Sequence, residues 1–125
     1  MEDTPVLNLS EALKRAMGDA EFLKMMLEEF HALIPDFVTR IENAWLERDL
    51  AAMGKDAHQL KGAAANLSAK TVAAAALKLE QIGKSGNPDG CEQALEELRK
   101  AVEHLDLQIT KIDWTGVASE SAAQG

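Results

Sequence analysis

The stretch "DAHQLKGAAANL", residues 56–67, decides the fold because its apolar residues repeat at helical spacing. Those apolar residues are Ala57, Leu60, Ala64 and Leu67. Intervals of three and four residues predict an amphipathic helix with one face in a core. The same stretch contains a histidine, a lysine and a glycine, which a packed helix face does not need. It therefore predicts a second face with a different purpose.

The same spacing continues outward in both directions and predicts four long helices. The predicted apolar seams are Leu23, Met26, Phe30, Leu33, Phe37, Ile41 and Trp45; Leu50, Met53, Ala57, Leu60, Ala64 and Leu67; Val72, Ala75, Leu79 and Ile82; and Cys91, Leu95, Leu98, Val102, Leu105, Ile109 and Ile112. The last seam alternates intervals of four and three, which favours near-parallel helices around a shared core. We expect an all-α fold, an antiparallel four-helix bundle over residues 19–112 with a short additional N-terminal helix.

Helix boundaries can be placed from polar residues and glycines. Ser10 is predicted to start the short first helix, which ends near Gly18. Asp19 and Asp49 are predicted to cap the second and third helices, because their carboxylates can accept free amide hydrogens. "GKSGNPDG" at 83–90 is typical of a loop.

Two further residues interrupt the helical pattern. Ser68 marks a break between the third and fourth helices. Pro35 lies inside the first seam, in the second predicted helix, where it removes a backbone hydrogen bond to the carbonyl of His31. We expect a bend at Pro35, or two consecutive helices.

Length and composition restrict the class of protein. The 125 residues suit a single domain, predicted over residues 1–112, with a disordered tail at 113–125. A net charge of -8 argues against a nucleic-acid partner. No run approaches the roughly 18 apolar residues of a membrane span, so we expect no membrane partner and a cytoplasmic location. The single cysteine excludes an intramolecular disulfide framework.

His58 is predicted to point away from the core. On a helical wheel the small or basic residues that lie within about 60° of it are Ala51, Gly54, Lys55, Lys61, Gly62 and Ala65. A glycine inside a helix costs roughly 1 kcal/mol relative to alanine, so two of them call for a reason. That reason is the close approach of another molecule, or packing against a neighbouring helix.

These residues favour phosphoryl chemistry. An exposed imidazole near neutral pH has a free lone pair for nucleophilic attack. Lys61, one turn on, would place a cation near a phosphoryl group on that nitrogen, and Gly62 would leave space for it. The pattern indicates a site that carries phosphoryl without machinery to generate or hydrolyse it.

The segment "AHQLKGAAANL" resembles the signature of histidine-containing phosphotransfer (HPt) domains, A-H-x-L-K-G followed by small residues. The resemblance covers roughly residues 10–110 and includes "GDAEFLKMMLEEF" at 18–30 and "LKLEQIG" at 77–83. It implies that His58 accepts phosphoryl from an aspartyl phosphate on one receiver domain and passes it to another. It also implies that Lys61 stabilises the phosphoryl group and that Gly62 is the family's glycine. Lys55, which the helical wheel places near His58, is a further candidate to stabilise phosphoryl or shape the site.

The family also holds a polar residue on the facing helix within reach of the histidine. If the third and fourth helices form a hairpin centred near Ser68, that residue is Glu80, which would accept the Nδ1 hydrogen and leave Nε2 as nucleophile. The alternative is that Glu80 is a solvated surface charge. The family commonly has glycine where this chain has Ser68, although serine could still cap the next helix.

The resemblance implies response-regulator receiver domains and a hybrid sensor histidine kinase as partners of a monomeric carrier. It implies no autonomous enzyme and no cofactor, with magnesium on the receiver domain. Whether the chain is free-standing or part of a hybrid kinase stays open.

Two other functions compete with the carrier. One is a helical interaction module that docks receiver domains or other proteins without taking up phosphoryl. The other is a di-iron bundle suggested by Glu28 and His31 in an E-x-x-H arrangement. That site needs a second such motif, and His104 has Ala101 at the matching position, so we expect no metal and ordinary surface roles for His31 and His104.

Overall fold

The computed structural model describes residues 7–116, which form five helices and no strand. The helices are α1 (Leu9–Arg15), α2 (Ala20–Leu46), α3 (Leu50–Asn66), α4 (Lys70–Ser85) and α5 (Cys91–Thr110). α2 to α5 pack around one apolar core, and α1 packs against α2. This confirms the predicted all-α bundle with a short N-terminal helix.

The starts of α1, α2 and α3 are capped by acidic or amide side chains. Asp19 accepts a hydrogen bond from the Phe22 N–H at 3.0 Å, and Asp49 accepts one from the Ala52 N–H at 3.0 Å. Both predicted caps are therefore present. α1 begins at Leu9 with Asn8 as its cap, slightly before the predicted start at Ser10.

α2 differs from its predicted seam in two respects. It runs as one helix through Pro35, so the alternative of two consecutive helices is wrong. Leu33 is exposed and Ile34 is buried instead, because the buried stripe passes from Phe30 to Ile34 and then to Ile41. The seam prediction was wrong at that one position, where two adjacent residues are both apolar.

The α3–α4 turn depends on Ser68, which is buried and has a left-handed backbone with φ of 59°. Its hydroxyl donates a hydrogen bond to Glu11 at 2.7 Å, and its carbonyl accepts one from the Asn8 N–H at 3.0 Å. α1 is thereby attached to the turn. The cap of α4 is Ala69, without a side-chain hydrogen bond, so the expectation that serine caps this helix was wrong.

The predicted loop at 83–90 is shorter in the structure. α4 continues to Ser85 and ends where Gly86 adopts a left-handed φ of 71°. Gly83 stays helical because it packs against Gly54 of α3, where an added Cβ on Gly54 would lie 3.1 Å from the Gly83 Cα. The two backbones therefore approach closely near the start of α3 and the end of α4.

Both ends of the described chain pack onto the bundle. The Leu7 N–H donates to the side-chain oxygen of Gln108 at 2.9 Å, and the Gln108 amide donates back to the Leu7 carbonyl at 2.8 Å. Residues 114–116 form a last helical turn, and Trp114 packs partly buried against the core. The rest of the predicted tail, 117–125, lies outside the described residues, and the domain boundary stays a prediction.

Candidate functional site

His58 lies on the outer face of α3, one helical turn beyond the Gly54–Gly83 contact. Its side chain is 63% exposed, and its Nδ1 lies 2.8 Å from Oε2 of Glu80 on α4. The antiparallel hairpin of α3 and α4 thus brings together the two residues that the sequence paired. Glu80 is no solvated surface charge, because its side chain is only 4% exposed.

Glu80 is a buried carboxylate surrounded by cations from two helices. The Lys61 ammonium lies 2.6 Å from Oε1, and the Lys84 ammonium lies 3.1 Å from Oε2. Oε1 makes no well-oriented hydrogen bond within residues 7–116, so the contact with Lys61 is best described as an ion pair. A buried carboxylate without such partners would be costly, and these contacts supply the compensation.

The lysines and the imidazole keep Glu80 ionised. Lys61 makes the largest contribution in lowering the pKa of Glu80 from 4.5 to about 2; burial opposes it, and Lys84 and His58 lower the pKa further. An ionised carboxylate only accepts hydrogen bonds. Nδ1 of a neutral His58 therefore carries the hydrogen, and the lone pair is on Nε2.

Beside His58 a groove of about 420 Å³ lies between α3 and α4. It is lined by Ala51, Gly54, Lys55, His58, Glu80, Gly83 and Lys84. The groove combines small residues with two lysines, so it gives space and positive charge next to the imidazole.

The two glycines of α3 have different surroundings. Gly54 is buried against α4, so its predicted place on the exposed side was wrong and packing against a neighbouring helix explains it. An added Cβ at Gly62 would meet no atom within 4 Å. Gly62 therefore borders open space, and Lys55 is exposed on the same helix.

Sequence reasoning missed Lys84. The residue was assigned to a loop, whereas α4 extends past it and places it one turn after Glu80. A spacing of four residues between an acidic and a basic side chain on one helix is the signal that could have found it.

The other histidine and metal candidates lie elsewhere. His31 pairs through Nε2 with Asp106 of α5. Residues 7–116 contain no group of three or more histidine, cysteine, aspartate or glutamate side chains that could hold a metal ion. Over the same residues, no helix is long and apolar enough to cross a membrane.

The fold and the site together define a class of protein. It is a helical bundle with an exposed histidine whose Nδ1 is hydrogen-bonded to a buried carboxylate. The family model for the Hpt domain matches residues 25–108, more than half of the sequence, and the chain belongs to this family. Hpt domains are phosphocarriers of two-component signalling whose general partners are receiver domains and kinases. No significant match to the chain was found among curated proteins or among solved structures.

Proposed function

We propose that the protein carries phosphoryl in a multistep phosphorelay, with Nε2 of His58 as the acceptor. The donor is an aspartyl phosphate on one receiver domain, and the next acceptor is an aspartate on another. The observation that carries this proposal is the 2.8 Å contact between Nδ1 of the exposed His58 and the buried Glu80 carboxylate. That contact leaves the lone pair of Nε2 facing solvent, where a partner can reach it.

The transfer needs no proton to leave the histidine. The Nε2 lone pair attacks phosphorus, and the bond between phosphorus and the aspartyl oxygen breaks with its electrons remaining on the carboxylate. The imidazole keeps its Nδ1 hydrogen and gains a positive charge, which the Glu80 carboxylate 2.8 Å away stabilises. Onward transfer reverses these steps on the second receiver.

The surrounding residues have supporting roles in this proposal. Lys61 stabilises the phosphoryl oxygens by charge and hydrogen bonding. Gly62 leaves room for the phosphoryl group and the partner, because no atom lies within 4 Å of an added Cβ. Lys55 adds positive charge along the groove.

The proposed carrier function extends to the assembly, partners and location of the protein. The chain acts as a monomer, without catalysis of its own and without a cofactor, and magnesium belongs to the receiver domain. Its partners are receiver domains and a hybrid sensor histidine kinase, and its location is the cytoplasm.

The test is to mix the protein with a phosphorylated receiver domain and to measure acid-labile, alkali-stable phosphate on the chain. We expect label on the wild type and on His104→Gln, a control at an exposed histidine of α5, and none on His58→Gln. Equal labelling of His58→Gln would exclude His58 as acceptor. An unlabelled wild type that still binds the receiver would instead support an interaction module.

A further inference from the structure

The contact between Gly54 and Gly83 lies one helical turn from the hydrogen bond between His58 and Glu80. Gly54 precedes His58 by four residues on α3, and Gly83 follows Glu80 by three residues on α4. One turn of a hydrogen-bonded helix moves as a rigid unit, because each backbone N–H is bonded to the turn before it. A change in helix spacing at the glycines therefore acts directly on the distance between the imidazole and the carboxylate.

The space between the two helices admits no side-chain atom at Gly83 and almost none at Gly54. An added Cβ on Gly54 would lie 3.1 Å from the Gly83 Cα, and one on Gly83 would lie 2.6 Å from the Gly54 Cα. Ordinary van der Waals contact begins at 3.4 Å. Gly83→Ala therefore requires the helices to separate by about 0.8 Å, whereas Gly54→Ala requires only a few tenths of an ångström.

The Glu80 side chain moves with α4 if the helices separate. It is only 4% exposed, and Lys84 of the same helix lies 3.1 Å from its Oε2. Its other two partners, Nδ1 of His58 and the Lys61 ammonium, both belong to α3. A separation of about 0.8 Å would lengthen the 2.8 Å hydrogen bond past roughly 3.2 Å, the usual limit. The carboxylate would then lose the imidazole and keep Lys84.

We propose that Gly54 and Gly83 are positioning residues for phosphoryl transfer, because their close contact holds Glu80 within hydrogen-bond distance of His58. This inference rests on the carrier function proposed above. Without that hydrogen bond the neutral ring divides between two tautomers, and in one of them Nε2 carries the hydrogen and has no lone pair for attack. The positive charge that the ring gains on phosphorylation also loses its stabilising carboxylate.

The first test measures the tautomer of His58 by nitrogen NMR of the unphosphorylated protein, and it needs no partner. We expect the hydrogen on Nδ1 in the wild type, partly on Nε2 in Gly54→Ala and more so in Gly83→Ala, in the order of the added overlap. Leu105→Ala is the control for lost stability alone, because it leaves a cavity at a fully buried residue of α5. It should keep the wild-type tautomer.

The second test measures phosphoryl uptake from a phosphorylated receiver domain. We expect Gly54→Ala to slow uptake about fivefold and Gly83→Ala to slow it at least about tenfold, as for a weakened charge-assisted contact and a disturbed alignment. Leu105→Ala should match the wild type under conditions in which it is folded.

A double-mutant cycle separates positioning from obstruction, since Gly54 also lines the groove next to His58. In Glu80→Ala no carboxylate remains to be positioned. Adding Gly54→Ala to that variant should therefore change uptake by less than about twofold. Equal slowing in both backgrounds would show that the added methyl group obstructs the receiver, and it would overturn the positioning role.

A wild-type tautomer in Gly54→Ala and in Gly83→Ala would also overturn the positioning role, and Gly54→Ala alone decides this if Gly83→Ala does not fold. Wild-type uptake by a variant whose tautomer has changed would overturn it as well. Failure of the carrier function itself has a different result, the absence of label on wild-type His58.

Discussion

Gly83 of α4 lies against Gly54 of α3 so closely that a Cβ atom on Gly83 would lie 2.6 Å from the Gly54 Cα. The same atom would lie 2.7 Å from the Leu50 carbonyl oxygen and 2.9 Å from the Gly54 nitrogen. All three neighbours belong to the backbone, which cannot rotate away as a side chain can. The glycine pair therefore sets the separation of the two helices one turn from the contact between His58 and Glu80.

Replacing Gly83 by alanine should destabilise the bundle by roughly 1–3 kcal/mol, the usual cost of overpacking a well-packed site. The measurement is the free energy of unfolding in urea. Gly62→Ala is the control, because its added Cβ meets no atom within 4 Å and should stabilise the helix by up to about 1 kcal/mol. Equal stability of Gly83→Ala and wild type would contradict the close helix contact.

A bulky residue at Gly62 should affect transfer more than folding. An added Cβ at Gly62 meets no atom within 4 Å in the free protein, so we expect a leucine to be tolerated there, whereas a docked receiver would meet the new side chain. We expect Gly62→Leu to keep the urea midpoint of Gly62→Ala and to slow phosphoryl uptake at least about tenfold, the effect of disturbed positioning. Normal uptake by Gly62→Leu would remove this explanation for the glycine.

The ionisation of Glu80 should appear in the acid stability of the protein. Its pKa falls from 4.5 to about 2 on folding, so the ionised form favours the folded state. That contribution is fully present above pH 4.5 and is lost as the pH falls from 4.5 to about 2. Stability curves of Glu80→Gln should be flatter in this window than those of the wild type.

Glu103→Gln, which removes an exposed carboxylate of α5, is the control for net charge. Its curve should keep the wild-type slope between pH 4.5 and about 2. A Glu80→Gln curve parallel to that of the wild type would argue against a strongly ionised Glu80.

Two substitutions at Ser68 should have different effects. Ser68→Ala loses the hydrogen bond to Glu11 and keeps a side chain on a left-handed backbone, so we expect a loss of about 1 kcal/mol. Ser68→Gly loses the same hydrogen bond but relieves a backbone cost of about 1–2 kcal/mol. The glycine variant should therefore be the more stable of the two in urea, and the reverse order would contradict the left-handed turn.

Cys91 should react with alkylating reagents only when the bundle opens. The thiol is buried beside the Met53 sulfur at 3.5 Å, and burial raises its pKa. We expect alkylation in the native protein at least about a hundredfold slower than in the urea-unfolded chain. It is the single cysteine, so mass spectrometry gives the rate directly. Native alkylation at the unfolded rate would place Cys91 at the surface.

The helices could be predicted because apolar spacing reflects burial directly. Ala57, Leu60 and Ala64 are all buried, as their spacing predicted. The wheel placed Gly54 on the exposed side because it describes one helix at a time, whereas the burial of Gly54 depends on how closely α4 approaches. Such a contact can be predicted only when the positions of both helix backbones, α3 and α4, are known.

The pairing of His58 with Glu80 could be predicted, because positions in the chain determine which residues face each other across a helical hairpin. A hairpin near Ser68 was enough to bring Glu80 opposite His58. Lys84 was missed because "GKSGNPDG" contains the glycines and proline of a loop, and packing against α3 extends the helix through its first residues. The left-handed backbone of Ser68 left no signal in composition, because serine is not a residue that marks this conformation.

The reciprocal hydrogen bonds between Leu7 and Gln108 hold the first described residue beside the last turn of α5. They lie at the end of the bundle that contains the α3–α4 turn, since Asn8 bonds to Ser68 there. His58 is eight residues before the end of α3, roughly 12 Å along the helix axis. A domain with adjacent termini tolerates circular permutation and insertion into a loop of another protein. Inserting this bundle into a loop of another protein at these two adjacent points should therefore leave His58 accessible to a partner protein.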